Sequence, residues 1–129
     1  MAIPNDLRYS QEHEWARLEG NRVTVGITEY AQEQLGDIVY VELPAEGDRV
    51  VAGQTFGVIE SVKAVSDLYA PVSGDVVAVN PDLADHPEWV NQDPYGKAWM
   101  ISVAAEDPKV MDGLLDAAGY GELLAREED

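Results

Sequence analysis

The chain contains no cysteine, one phenylalanine and two histidines in 129 residues. Without cysteine there can be no disulfide, no thiol nucleophile and no thiolate metal site, so stability must come from packing. The histidines, His13 and His86, lie far apart in sequence and outside any metal-ligand spacing, and are read as surface or hydrogen-bonding residues. No nucleophile elbow, phosphate-binding loop or dinucleotide fingerprint occurs. No apolar run approaches the roughly 20 residues a membrane-spanning helix needs. Cations are scarce too, with 8 Lys and Arg against 25 Asp and Glu and a formal net charge of -17. Such a charge repels nucleic-acid phosphates and anionic membrane surfaces, so neither is expected as a partner. Protein partners with basic patches are expected, unless the charge serves only solubility.

What remains is a chain of 14.1 kDa with 46% hydrophobic residues, enough for one core and too short for two comfortable domains. A single domain, 1–129, is expected. Residues 1–8 carry neither a basic start followed by an apolar run nor an Arg-rich amphipathic stretch, so no export or transit signal is legible there. A bacterial cytoplasmic location is expected, with the mitochondrial matrix as the alternative if a transit peptide has been removed.

Short β-rich runs recur between turn signals at 22–27, 37–43, 55–59, 66–70, 74–79 and 98–103, the spacing of a compact sandwich or barrel. The fold class is therefore mainly β. A short internal helix fits after Thr28 as N-cap, with Glu29 in its first turn, Ala31 and Leu35 on one face and Gly36 as the stop. A second helix is expected to begin near Pro108, where Val110, Leu114 and Ala118 recur at helical spacing, and to stop near Gly119 or Gly121. The end, 120–129, is expected to fray. Between Gly74 and Ala98 the stretch 80–91 reads as loop and short helix, because Pro81 and Pro87 interrupt any strand. No sequence repeat is evident.

Lys63 is the residue with the clearest chemical meaning. It lies between two strand-like runs, at the tip of a hairpin, where an amine reaches solvent on a rigid support. Lys97 follows a Tyr-Gly loop and Lys109 lies at a helix start, so neither sits in a comparable hairpin. The catalytic inventory is otherwise poor. Glu12 and Glu14 near Trp15 form a conceivable carboxylate pair for glycoside chemistry, but such pairs belong in larger clefts. Trp15, Trp89 and Trp99 read as core and rim aromatics, and Met100 and Met111 as packing residues.

Gly47 lies sixteen residues before Lys63 and Gly74 eleven after it, with Gly47-Asp48-Arg49-Val50 opening one half and Ala70-Pro71-Val72-Ser73-Gly74 closing the other. This arrangement resembles the biotinyl/lipoyl carrier family. The lysine's neighbours, Glu60-Ser61-Val62-Lys63-Ala64, resemble the branch formed by the H proteins of the glycine cleavage system. So do Ser10-Gln11-Glu12-His13-Glu14-Trp15, Gly26-Ile27-Thr28-Glu29-Tyr30-Ala31, Leu35-Gly36-Asp37, Val41-Glu42-Leu43-Pro44 and Val90-Asn91-Gln92-Asp93-Pro94-Tyr95-Gly96. Each segment alone is weak, whereas their order and spacing over about Leu7 to Val103 are specific.

The resemblance implies a lipoyl-carrier β-sandwich or flattened barrel, also called a hammerhead, with two quasi-equivalent halves. It implies a covalent lipoyl group on Lys63, installed by a lipoate-attaching enzyme. It implies a carrier without catalysis of its own, serving three enzymes: a pyridoxal-phosphate glycine decarboxylase, a tetrahydrofolate-dependent aminomethyltransferase and an FAD-containing dihydrolipoyl dehydrogenase. A monomer and no metal are expected. A freestanding lipoyl carrier of another 2-oxo-acid pathway and an unmodified interaction protein are the alternatives. The loaded aminomethyl group is an N,S-acetal whose free amine lone pair can expel the thiolate, so it needs a shelter that keeps the amine protonated. A carboxylate shielded from water would do so. Glu14 is the first choice, with Trp15 helping to pack the site and Asp67, near the hairpin, as second choice.

Overall fold

The computed structural model describes residues 2–128. Nine strands form two antiparallel sheets. The larger is ordered β1 (Arg8–Tyr9), β2 (Glu14–Glu19), β3 (Arg22–Ile27), β9 (Ile101–Ala105), β8 (Gly74–Val79) and β5 (Arg49–Val50). The smaller is ordered β4 (Ile38–Glu42), β6 (Thr55–Ser61) and β7 (Val65–Tyr69). The period-2 patterns explain the layering: Val23, Val25 and Ile27 point inward from β3, as do Ile101 and Val103 from β9, and they meet Ile59 and Leu68 of the smaller sheet in one aliphatic core. The result is the expected mainly β sandwich.

Helix α1 (Glu29–Leu35) forms where expected, with the Thr28 hydroxyl accepting from Ala31 N at 3.2 Å and Gly36 at φ 83° ending it. Helix α2 (Trp89–Gln92) is the short helix expected within 80–91, and it runs one residue past that stretch. The last strand begins three residues later than the expected 98, because Asn80 Nδ2 donates to the carbonyls of Lys97 at 2.8 Å and Trp99 at 2.7 Å and so holds that stretch as a loop.

The C-terminal segment departs most from expectation. The helix expected from Pro108 is a 3-10 turn, Pro108–Gly113, and it ends where Leu115 leaves the helical path to exchange two 2.8 Å backbone hydrogen bonds with Tyr9. A separate helix, α3 (Ala117–Glu128), then runs through Gly119 and Gly121 and over 120–128 of the stretch expected to fray, whose last residue, 129, lies outside the described residues. Glycine costs a helix about 1 kcal/mol. Tyr120 and Leu124, one helical turn apart, outweigh that cost by burying themselves in a second cluster with Leu7, Tyr9 and Trp15. The ring of Tyr120 stacks on Tyr9 with centroids 4.6 Å apart. This aromatic layer packs on the N-terminal strands and needs one glycine: a Cβ at Gly26, directly opposite Trp15 on β3, would lie 2.6 Å from the indole.

Candidate functional site

The hairpin β6–β7 presents Lys63 at its tip, in the turn of residues 62–64. The turn closes on itself. Ser61 N donates to Ala64 O at 2.8 Å, and the Ser61 hydroxyl accepts from Lys63 N at 3.3 Å and Ala64 N at 3.1 Å. Val62, 70% exposed, and Val65, 68% exposed, stand on either side of the lysine. The turn is also tied to the body of the protein, because Val62 N donates to Asp37 O at 3.0 Å. Asn91 secures that anchor by accepting from Ile38 N and donating to Gly36 O and Gln32 Oε1, each at 2.9 Å. The Lys63 stem passes Gly36, where a Cβ would stand 3.4 Å from Cε. Among the described residues no carboxylate lies within ion-pair distance of its amine. Lys97, by contrast, lies over the Trp89 ring at 5.6 Å.

Glu14 opens β2 and is 2% exposed. One carboxylate oxygen accepts from the Ser10 hydroxyl at 2.5 Å and the other from Tyr69 N at 3.3 Å. The second bond links the large sheet to the last residue of β7. Burial pushes the carboxyl up from its ordinary 4.5 to about 7, and the Ser10 and Tyr69 hydrogen bonds moderate that rise. Glu14 lines a cleft of about 400 Å³ with Ser10, Glu12, Tyr69, Pro71 and Leu114. A cation entering this cleft would meet a carboxyl half ionised near neutrality and would draw it towards the carboxylate.

The other two residues singled out from the sequence do not join Glu14. Trp15, the next residue along β2, points to the opposite face, where its indole N–H donates to Pro94 O at 2.9 Å and Arg17 lies 5.0 Å from its ring centre. It supports the aromatic layer and does not line the cleft. Asp67 lies on the exposed face of β7 opposite Val58, in a different recess bordered by Glu42 and Pro44. Lys63 and the Glu14 cleft stand at opposite ends of β7, about 20 Å of extended chain apart. Sequence reasoning missed Ser10 and Tyr69. Ser10 stands inside the recognised motif and could have been found there, whereas Tyr69 reaches the site only through tertiary packing.

A profile of the family described as glycine cleavage H-protein matches residues 7–127. The chain belongs to the glycine cleavage H-protein family. It is 56% identical over 128 residues to the glycine cleavage system H protein of Anaeromyxobacter sp. (strain K), covering 99% of this chain and 100% of that one. It is 58% identical over 122 residues to that of Myxococcus xanthus (strain DK1622), covering 95% of each. A crystal structure of a glycine cleavage system H protein from Mycobacterium marinum superposes with a TM-score of 0.87 at 41% identity, over 95% of this chain and 99% of that one. Members of this family carry a covalently attached lipoyl-lysine and are carriers, not catalysts. Membership therefore selects one of the readings left open by the sequence, the lipoyl carrier of the glycine cleavage system. The exposed amine of Lys63, without a carboxylate partner among the described residues, and the enclosed carboxyl of Glu14 suit such a group. No helix among the described residues is long and apolar enough to cross a membrane.

Proposed function

We propose that Lys63 carries the lipoyl group and that the Glu14 cleft shelters what the group carries. The observation that carries this reading is the contrast in surroundings: an amine held out at a rigid tip, and a buried carboxyl at the wall of a cleft. Attached there, lipoate supplies a cyclic disulfide that takes up the aminomethyl unit and passes on electrons as a dithiol. The chain's own residues do the rest. The 62–64 turn offers the amine to a lipoate-attaching enzyme and later holds the arm's root still. Glu14 as carboxylate stabilises an ammonium and keeps its lone pair from expelling a thiolate. Ser10 and Tyr69 fix where the carboxylate oxygens face. Asp67, placed in another recess, has no part in this shelter.

As the lipoyl carrier of the glycine cleavage system, the chain serves glycine decarboxylase, aminomethyltransferase and dihydrolipoyl dehydrogenase in turn. Tethering the cargo keeps it at high effective concentration beside each docked enzyme. The net charge of -17 favours basic docking faces on those partners. A monomer in the bacterial cytoplasm is the setting we infer.

Intact mass and peptide mapping of protein from its native source test the attachment: one lipoyl adduct on Lys63 is expected, and an adduct on Lys97 or Lys109 would overturn it. For the shelter, Glu14→Ala and parent proteins are loaded, the decarboxylase is removed, and ammonia and formaldehyde release are followed. Faster release from Glu14→Ala, with lipoylation and dithiol reduction intact, is expected. Equal release would exclude Glu14.

A further inference from the structure

His13 has φ 70°, the sole positive φ at a non-glycine residue among those described. Left-handed backbone costs most L-residues on the order of 1 kcal/mol, and histidine is one of the few types enriched there. The conformation has a local purpose. Residues 11–13 form a three-residue hairpin loop between β1 and β2, closed by Ser10 N donating to Glu14 O at 2.9 Å and His13 N to Ser10 O at 3.2 Å. A loop of this length needs a left-handed residue at its last position. That residue sets the path by which Ser10 and Glu14 enter the cleft. Glycine would adopt the conformation without strain, so the choice of an imidazole calls for another reason.

The reason lies on α3. His13 Nδ1 is 2.8 Å from the Tyr120 hydroxyl, and Nε2 is 2.9 Å from Glu127 Oε2. The ring packs against Tyr30 with centroids 4.9 Å apart. The Tyr120 hydroxyl is also 2.6 Å from Thr28 Oγ1, and Thr28 N donates to His13 O at 3.0 Å. With the imidazole neutral, one proton arrangement satisfies every group. Ala31 N already donates to Thr28 Oγ1, the Thr28 hydroxyl donates to the Tyr120 oxygen, the Tyr120 hydroxyl donates to Nδ1, and the Nε2 proton goes to Glu127. Tyr120 itself is 1% exposed and stacked on Tyr9, so its hydroxyl has little freedom to wander. Thr28 is the N-cap of α1, whose other end, Gly36, lies against the Lys63 stem.

We propose that Tyr120 is a positioning residue for the Glu14 cleft: its hydroxyl holds His13 in the left-handed turn that aims Ser10 and Glu14. Through Thr28 the same hydroxyl steadies the helix that ends beside Lys63. This inference rests on the sheltering role of Glu14, and its test separates the two. Tyr120→Phe keeps the stacked ring and removes one oxygen. In the unlipoylated protein, the Glu14 carboxyl is titrated by carbon-13 NMR. Loosening the turn admits water to the carboxyl, and because burial outweighs the Ser10 hydrogen bond in setting its midpoint, Tyr120→Phe should lower the Glu14 midpoint by roughly one pH unit. His13→Asn, which tolerates the left-handed backbone but cannot reach Tyr120, should do the same. Midpoints equal to the parent's in both variants would overturn the proposal whatever Glu14 does. In the lipoylated and loaded protein, Tyr120→Phe should speed ammonia release when Glu14 is present and add nothing in a Glu14→Ala background. Equal acceleration in both backgrounds would show that Tyr120 acts on general stability and would also overturn it. A shifted midpoint together with unchanged release from Glu14→Ala would uphold the clamp and remove the shelter.

Discussion

Two turns of this molecule use the same device to opposite ends. In the 62–64 turn, the Ser61 hydroxyl gathers two backbone amides from within the next three residues, and the side chain of interest goes to solvent. In the turn before β2, the Ser10 hydroxyl accepts from Glu14 N at 3.1 Å and donates to the Glu14 carboxylate, and the side chain of interest is buried. The first turn completes itself locally and leans on the protein through one backbone bond from Val62 to Asp37. The second is pinned by Tyr120, 107 residues away, and by Tyr69, 55 residues from Glu14. A carrier needs this difference. The proposed attachment point must be offered to several enzymes, so it gains from independence of the core. The proposed shelter must exclude water, and no short segment does that alone.

The largest expected effect breaks the comparison at the exposed turn. Lys63→Arg keeps the charge but removes the acylatable amine, so lipoylation and carrier function should vanish while the fold persists. Full glycine cleavage by that variant in a reconstituted system would remove Lys63 from its role. The next effect tests the buried turn. Because the folded state raises the Glu14 carboxyl from 4.5 to about 7, the folded protein holds its proton more tightly than the unfolded chain. Glu14 therefore weakens the fold as pH rises from 4.5 to about 7, by about 3 kcal/mol in total, with no further change above that range. Glu14→Gln should flatten that part of the stability curve, which urea unfolding at stepped pH would reveal.

Serine-to-alanine substitutions sharpen the contrast. Ser61→Ala should cost about 1 kcal/mol, with NMR shifts confined to the hairpin. Ser10→Ala should cost a similar amount and, in addition, move the Glu14 midpoint above 7, since the Ser10 hydrogen bond holds it down. A Ser10→Ala midpoint at or below the parent's would show that Ser10, like Ser61, serves only its own turn. The smallest effect lies outside both turns. Partner association should slow as salt rises from about 0.05 to 0.5 M and shortens the Debye length severalfold. Unchanged rates would leave the acidic surface with solubility as its purpose.

Much of this could be read from the residues in order. Lys63 between two strands, Thr28 and Gly36 at the ends of α1 and the strand at Arg22–Ile27 depend on near neighbours, and near neighbours are what a sequence displays. Glu14 is legible through its motif, and the resemblance makes it the first choice for a shielded carboxylate, but the elements that bury it, β7 and the segment of Leu114, come beside it only in the fold. Closeness in sequence and in the hairpin points to Trp15 and Asp67 as company for Glu14. Strand alternation sends Trp15 to the other face, and the outer face of β7 takes Asp67 elsewhere. Two short strands, β1 and β5, carry two residues each and offer no periodicity to detect.

The sequence by itself determined the class of sandwich, the hairpin that offers Lys63, the absence of cysteine chemistry and the acidic surface. Each of these follows from residue type and short-range pattern. The tertiary structure alone decided that Glu14 is buried, that Trp15 faces away from it, and that the glycine-interrupted end of the chain is a helix. Burial and long-range hydrogen bonds are properties of which segments meet, and Tyr120 meets His13 only because Tyr9 and Leu7 provide the apolar seat that keeps α3 folded.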